Sequence, residues 1–487
     1  MASGGVTPKI MRCNGRTEFS KQPEEEDRLS MLTDDILLCI LGRVDLSTAA
    51  RTSALSTRWR CLPWLLPELN IDVKDFLPIP CNNPIEAQDM DKAMVSLTKA
   101  TRSFLVNRHG ESSISTLHLK IYLINASLCE AGPLVGDAVE SGLVKDLDLA
   151  ILYKRDFWAC SEEGMLQRGQ AIDGFFSAYS NVLHCLTRLA LYTGRFEKLD
   201  IHHVLFECCK QLKHLALYHC DIGAHSPFKI DAPNSKLLVL ELTYCRFEIV
   251  EFVCLPKLEK LTCSTWVSRD APLAFYFVPS LGELVLSCGG RRGQRELKLS
   301  ELLHGTTCIH TLTLDFHGEN LWMQPEMKQL CTAFNKLSKL SVRGIFVEFD
   351  ILWMTAFLVA APSIEILHIE VWEHACDVDD EFRQPDFLDR RTPEWETHFD
   401  GSKNWHLKEL EFTGFRSLEQ QFMFIRSLLE RAPNLQTIIL KGDEQCEYCD
   451  ALDTPPRPSK FPKKGEQEMV VRRIRDDIFS PRIIFDV

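Results

Sequence analysis

Two short stretches hold residue types that could break or transfer bonds. His202 and His203 precede Cys208 and Cys209, and a neutral imidazole beside a thiol can make a Cys/His nucleophile. The spacing sets His202 and Cys209 about two turns apart on one helix, with no acid placed to orient the ring. The pair therefore reads as solvent histidines and buried thiols. Cys446 and Cys449 form a lone Cys-x-x-Cys. A zinc site needs four ligands and no second pair lies nearby, so neither metal nor other cofactor is expected. Gly289, Gly290 and Gly293 surround Arg291 and Arg292 without the Lys-Ser/Thr of a phosphate loop. They read as a solvated turn, and the chain reads as a non-catalytic one.

The informative residues are apolar. Ile36, Leu37, Ile40, Leu41 and Val44 recur on one face of a helix. Thr33 can cap it, Asp34 and Asp35 suit its first turn, and Gly42 marks its end. Ser47 is placed to cap a second helix over residues 48–54, and Ser56 a third over 57–62. Three helices in so few residues bury little apolar surface, so an apolar face should stay open for a partner.

The order of these residues resembles the F-box. Leu32, Ile36, Leu37, Ile40 and Leu41 are followed by Leu55, Ser56, Trp59 and Arg60. Thr33 stands where that family usually has proline. The continuation through Leu65, Leu66, Pro67 and Leu69 to Asp72 is similar to the plant type, in which leucine-rich repeats follow. The resemblance implies the substrate-recognition subunit of a cullin-based (SCF-type) ubiquitin ligase. Its partners would be a Skp-type adaptor, cullin through that adaptor, and a target protein of unknown identity. The implied adaptor-facing set is Leu32, Ile36, Leu37, Ile40, Leu41, Val44, Leu55 and Trp59. The alternative is a repeat-type binding module without a ligase link, the helices merely capping the array.

Beyond residue 112 a phrase recurs, apolar-x-x-Leu-x-apolar. Its middle leucines include Leu189, Leu215, Leu240, Leu261, Leu284, Leu312, Leu340 and Leu367, at intervals of 21 to 28 residues. That period is the one of leucine-rich repeats. In Leu-x-Leu both side chains lie on one face of a strand. The expectation is an α/β fold: a three-helix F-box, then an irregular solenoid with a parallel concave sheet and helices or irregular turns outside. Ala-Pro recurs at 361–362 and 432–433, ending a helix before the next strand. Cys220 and Cys245 stand near the position where such repeats place Asn, and thiols can bond weakly to loop carbonyls. Residues between the inward ones should face a target: Ala190, Ala216, Glu241, Thr262, Val285, Thr313, Ser341 and His368. Two gaps interrupt the array, at 150–185 and at the acidic stretch 372–403. Leu407, Leu410, Phe412, Gly414, Leu428, Leu429, Pro433 and Leu435 are similar to the segment that closes many plant F-box/repeat proteins.

The domain reading is a disordered tail at 1–26, F-box 27–72, linker and bridging helix 73–111, repeats 112–442 and a C-terminal tail 443–487. The chain has 487 residues with a formal net charge of −13, against the basic patch of a nucleic-acid binder. No apolar run is long enough to span a membrane. Nineteen scattered cysteines without a secretory signal suit reduced thiols in the cytoplasm or nucleus.

Overall fold

The computed structural model describes residues 29, 31–78, 85–106, 108, 113–123, 128–153, 160–197, 200–223, 226–288, 295–317, 321–323, 326, 330–346, 351–372, 404–442, 459–474 and 481–486. The N-terminal tail, the glycine–arginine turn at 289–293, the acidic stretch 373–403 and the Cys446/Cys449 pair lie outside these. The chain divides into two compact units, residues 1–66 and 67–487.

The first unit holds helices α1 (Asp34–Leu41) and α2 (Leu46–Thr52), both packed on a 3-10 turn, Leu62–Leu65. The third helix expected over 57–62 is instead a run of turns leading into that 3-10 segment. Asp45, not Ser47, caps α2. Its carboxylate accepts the Thr48 N–H at 2.8 Å and the Thr48 hydroxyl at 2.7 Å, and these bonds hold its pKa below the usual aspartate value.

In the second unit, the bridging helix is α3 (Ala87–Val106), which buries Met94, Leu97, Phe104 and Leu105. A 14-stranded parallel sheet runs through the unit. Leu189, Leu215, Leu240, Leu261, Leu284, Leu312, Leu340 and Leu367 occupy one register row and are each no more than 1% exposed. The sheet is longer than the sequence suggested at both ends. It opens with Glu68–Asp72, which reads as F-box continuation, and closes with Arg482–Asp486, where the sequence allows either a last strand over Ile483–Phe485 or a loose tail.

The outer layer changes with repeat length. Helix α4 (Leu128–Glu140) follows the second sheet strand, and α5 (Glu162–Ala178) fills the gap at 150–185 in a single crossover. Residues 201–210, read as helical, keep only a short helical start and a π-turn, His203–Cys208. Among the described residues the next three repeats carry no helix outside. They hold Phe228–Asp231, Val250–Cys254 and Leu273–Phe275, which pair into a second parallel sheet. These are the shortest repeats, at 25, 21 and 23 residues between middle leucines. An extended chain covers about 3.3 Å per residue against 1.5 Å for a helix, so a strand spans the outside of a short repeat with fewer residues. Longer repeats return to helix, as at Thr355–Ala360 and Glu419–Leu429.

Each strand must then leave the sheet. Thr193 and His219 take φ of 58 and 52° inside their strands, where the ladder skips them and resumes at Gly194 and Cys220, and Tyr244 and Thr265 take 54 and 53° directly after theirs. A left-handed residue reverses the chain sharply, at a cost for non-glycine residues. Thiols support the turn. Cys245 Sγ donates to the Leu217 carbonyl at 3.1 Å, and Cys220 Sγ to that of Leu191 at 3.5 Å. Among the described residues no helix is long and apolar enough to cross a membrane.

Candidate functional site

The first unit divides its apolar residues cleanly. Leu37, Leu41 and Trp59 are 0%, 2% and 6% exposed, whereas Ile36, Ile40, Val44 and Leu55 are 46%, 38%, 41% and 69% exposed. Leu32 is half-buried. Helical geometry allows the split, because Ile36 and Ile40 sit one turn apart and about 100° around the axis from Leu37 and Leu41. Of the eight residues implied as adaptor-facing, Leu37, Leu41 and Trp59 belong to the interior. They hold the shape of the surface and do not line it. Met31 and Leu29, 77% and 54% exposed, extend the apolar surface and were missed, since they precede the helical period.

The open face of the long sheet is the second candidate. Ala190, Ala216, Glu241, Thr262, Val285, Thr313, Ser341 and His368 lie in one continuous register row across it. Ala216 and Ser341 are 5% and 2% exposed and so offer little to a partner. The others are half-buried. Flanking rows, which the Leu-x-Leu phrase does not single out, carry most of the polar chemistry. Tyr192 and Tyr218 stack with ring centroids 4.3 Å apart. The Tyr218 hydroxyl donates to Glu241 at 3.2 Å, and His214 lies 3.1 Å from the same carboxylate. His118 and Arg188 flank Asp148 at 2.9 and 3.4 Å.

At the other end of the row, His368 Nδ1 meets the Ser341 hydroxyl at 2.9 Å. Burial depresses His368 to about 4, so its ring is neutral near pH 7. Burial alone would raise the neighbouring Glu411, but the Lys441 ammonium at 2.8 Å holds it below the usual glutamate value.

Residues 29–63 match the F-box domain, and residues 176–463 match the leucine-rich-repeat domain of the At1g61320/AtMIF1 type. The chain belongs to the plant F-box/leucine-rich-repeat family. Three Arabidopsis thaliana proteins illustrate the likeness. F-box/LRR-repeat protein At2g42720 is 36% identical over 135 residues, 27% of this chain and 28% of its own length. F-box/FBD/LRR-repeat protein At5g53840 is 46% identical over 57 residues, 12% and 13% of the two chains. F-box/LRR-repeat protein At5g02910 is 28% identical over 232 residues, 47% and 40% of the two. The chain thus spans between 13% and 40% of the length of these relatives.

The pairs that suggested bond chemistry are placed differently in this F-box/repeat protein. His202 Nε2 accepts the Asp231 N–H at 3.2 Å, and Cys209 is 3% exposed. Burial pushes the Cys209 thiol up to about 12. A thiol so rarely ionised is a poor nucleophile.

Proposed function

We propose that this chain is the substrate-recognition subunit of an SCF-type ubiquitin ligase. The F-box unit docks on a Skp-type adaptor and through it on cullin, and the open face of the sheet takes the target. The carrying observation is that Ile36, Ile40, Val44 and Leu55 are left between 38% and 69% exposed, with Leu29 and Met31 also open, in a unit that keeps Leu37, Leu41 and Trp59 inside. Covering an apolar side chain of this size fully contributes roughly 1.5–3 kcal/mol. Four such side chains give an adequate central patch once a polar rim excludes water. No bond is made or broken in this role. Holding the target beside the charged conjugating enzyme raises its effective concentration.

A pull-down with the adaptor tests the reading. Ile36→Asp places a charge in the middle of the buried patch and should abolish capture while leaving the fold intact. Capture of this variant at the wild-type level would move the dock elsewhere.

A further inference from the structure

The two parts of the dock sit on different segments. Ile36 and Ile40 project from α1, whereas Leu55 belongs to the stretch after α2. Something must fix one against the other, and the start of α1 is weakly held by its own residues. Thr33 stands at the N-cap but makes no side-chain cap bond, although a capped N-terminus is what usually stops a short helix from fraying.

Arg58 supplies the missing restraint. Its Nε and Nη2 both donate to Asp34 Oδ1, at 2.9 and 2.7 Å, and Nη2 also donates to the Leu32 carbonyl. One planar group thereby grips the last residues before α1 and the first residue within it. Arg58 is itself set by its turn. The Trp59 N–H reaches Ser56 Oγ at 3.4 Å, the Arg60 N–H reaches the Ser56 carbonyl at 3.1 Å, and Trp59 is buried. Leu55 directly precedes that turn, three residues before Arg58, and its own N–H closes the preceding turn on the Thr52 carbonyl at 2.9 Å.

We propose that Arg58 is the positioning residue of the adaptor dock, strapping the start of α1 to the turn that directly follows Leu55. This rests on the docking reading above. The pair is partly exposed, with Arg58 at 36% and Asp34 at 59%. Exposed ion pairs add little to global stability. Its effect should therefore appear in dock geometry and not in the melting of the chain. Arginine suits the task better than lysine, since its rigid planar fork holds Asp34 through Nε and Nη2 together while Nη2 also reaches Leu32.

The test uses the full chain and a purified Skp-type adaptor. Arg58→Ala should bind about fivefold more weakly, and Arg58→Lys should fall between it and wild type. Thr33→Pro provides a covalent substitute. Thr33 already has φ of −69°, within the range of proline, and its carbonyl, which proline keeps, accepts the Leu37 N–H at 3.0 Å. Adding Thr33→Pro to Arg58→Ala should restore affinity to within about twofold of wild type. Raising NaCl from about 50 to about 500 mM should weaken the wild type but not the double variant, because salt screens an exposed ion pair. Arg58→Ala binding like a wild type that does bind would overturn the strap alone. So would a double variant that stays weak. A wild type that fails to bind would remove the docking reading, and the strap's role with it.

Discussion

Arg195 and Asp221 form a two-pronged ion pair across adjacent strands, Nε to Oδ1 at 2.7 Å and Nη2 to Oδ2 at 3.2 Å. Both side chains are buried, at 9% and 1% exposure. Asp221 also accepts the Gly223 N–H at 3.1 Å, and Glu162 of α5 reaches Arg195 at 3.3 Å and Arg246 at 3.1 Å. Three repeats and a helix are tied together at this point. Removing Asp221 leaves the buried guanidinium with only the exposed Glu162, so Asp221→Ala should cost up to about 3–5 kcal/mol in urea unfolding. A cost under about 1 kcal/mol would show that water reaches Arg195.

Gly169 of α5 lies so close to that strand that a Cβ would stand 1.9 Å from the Arg195 carbonyl oxygen. Backbone cannot retreat as a flexible side chain can, so α5 would have to lift. Gly169→Ala should lower stability by about 1–3 kcal/mol although alanine is the better helix former. Thermal unfolding of the variant checks the sign. Gly174 of the same helix has no atom within 4 Å of its would-be Cβ, and Gly174→Ala should be neutral or stabilising.

Thiol reactivity should follow environment. Burial raises Cys245 to about 12 and drives Cys220 and Cys263 well above the usual thiol value. Cys308 is lowered by the Thr307 hydroxyl and by Lys336, whose Nζ lies 3.3 Å from its sulfur. Brief alkylation of the folded chain at neutral pH, followed by peptide mass spectrometry, should label Cys308 and spare the three buried thiols. Equal labelling in the native state would contradict the thiol-supported turns.

His368 carries a pH signature. Its folded pKa of about 4 lies below the usual 6.5, so between those values the unfolded chain binds the proton and the folded chain does not. Stability should therefore fall as pH drops from about 6.5 toward 4. His368→Gln should flatten that part of the profile. Below it Glu411, also depressed by Lys441 and His368, loses its own contribution as it protonates. A profile identical in the two proteins would mean that His368 is open to water.

Much of the repeat unit was legible because its constraint is local. In Leu-x-Leu one face must be apolar, and a strand puts alternate residues on that face. The end strands were not, for different reasons. Leu69 and Ile71 merge with the apolar residues of the F-box motif, and after the proline-rich stretch the pattern at Ile483–Phe485 fits a last strand and a loose tail equally. The second sheet was readable in principle, since it occurs where the repeats are shortest, but repeat length was not converted into outer structure. In the F-box unit, periodicity identified α1 and its apolar residues. It could not separate Ile36 and Ile40 from Leu37 and Leu41, because both pairs recur at i and i+4. Only the packing of α1 on Leu62–Leu65 decides which pair faces inward.

The account stands on the exposed row of α1 being what the adaptor covers. Hydrogen exchange of the full chain, with and without the purified adaptor, measures this residue by residue. The account predicts slowed exchange through α1 and around Val44 and Leu55, with the sheet strands unchanged. Unaltered exchange in α1 under saturating adaptor, or protection confined to the sheet, would contradict it.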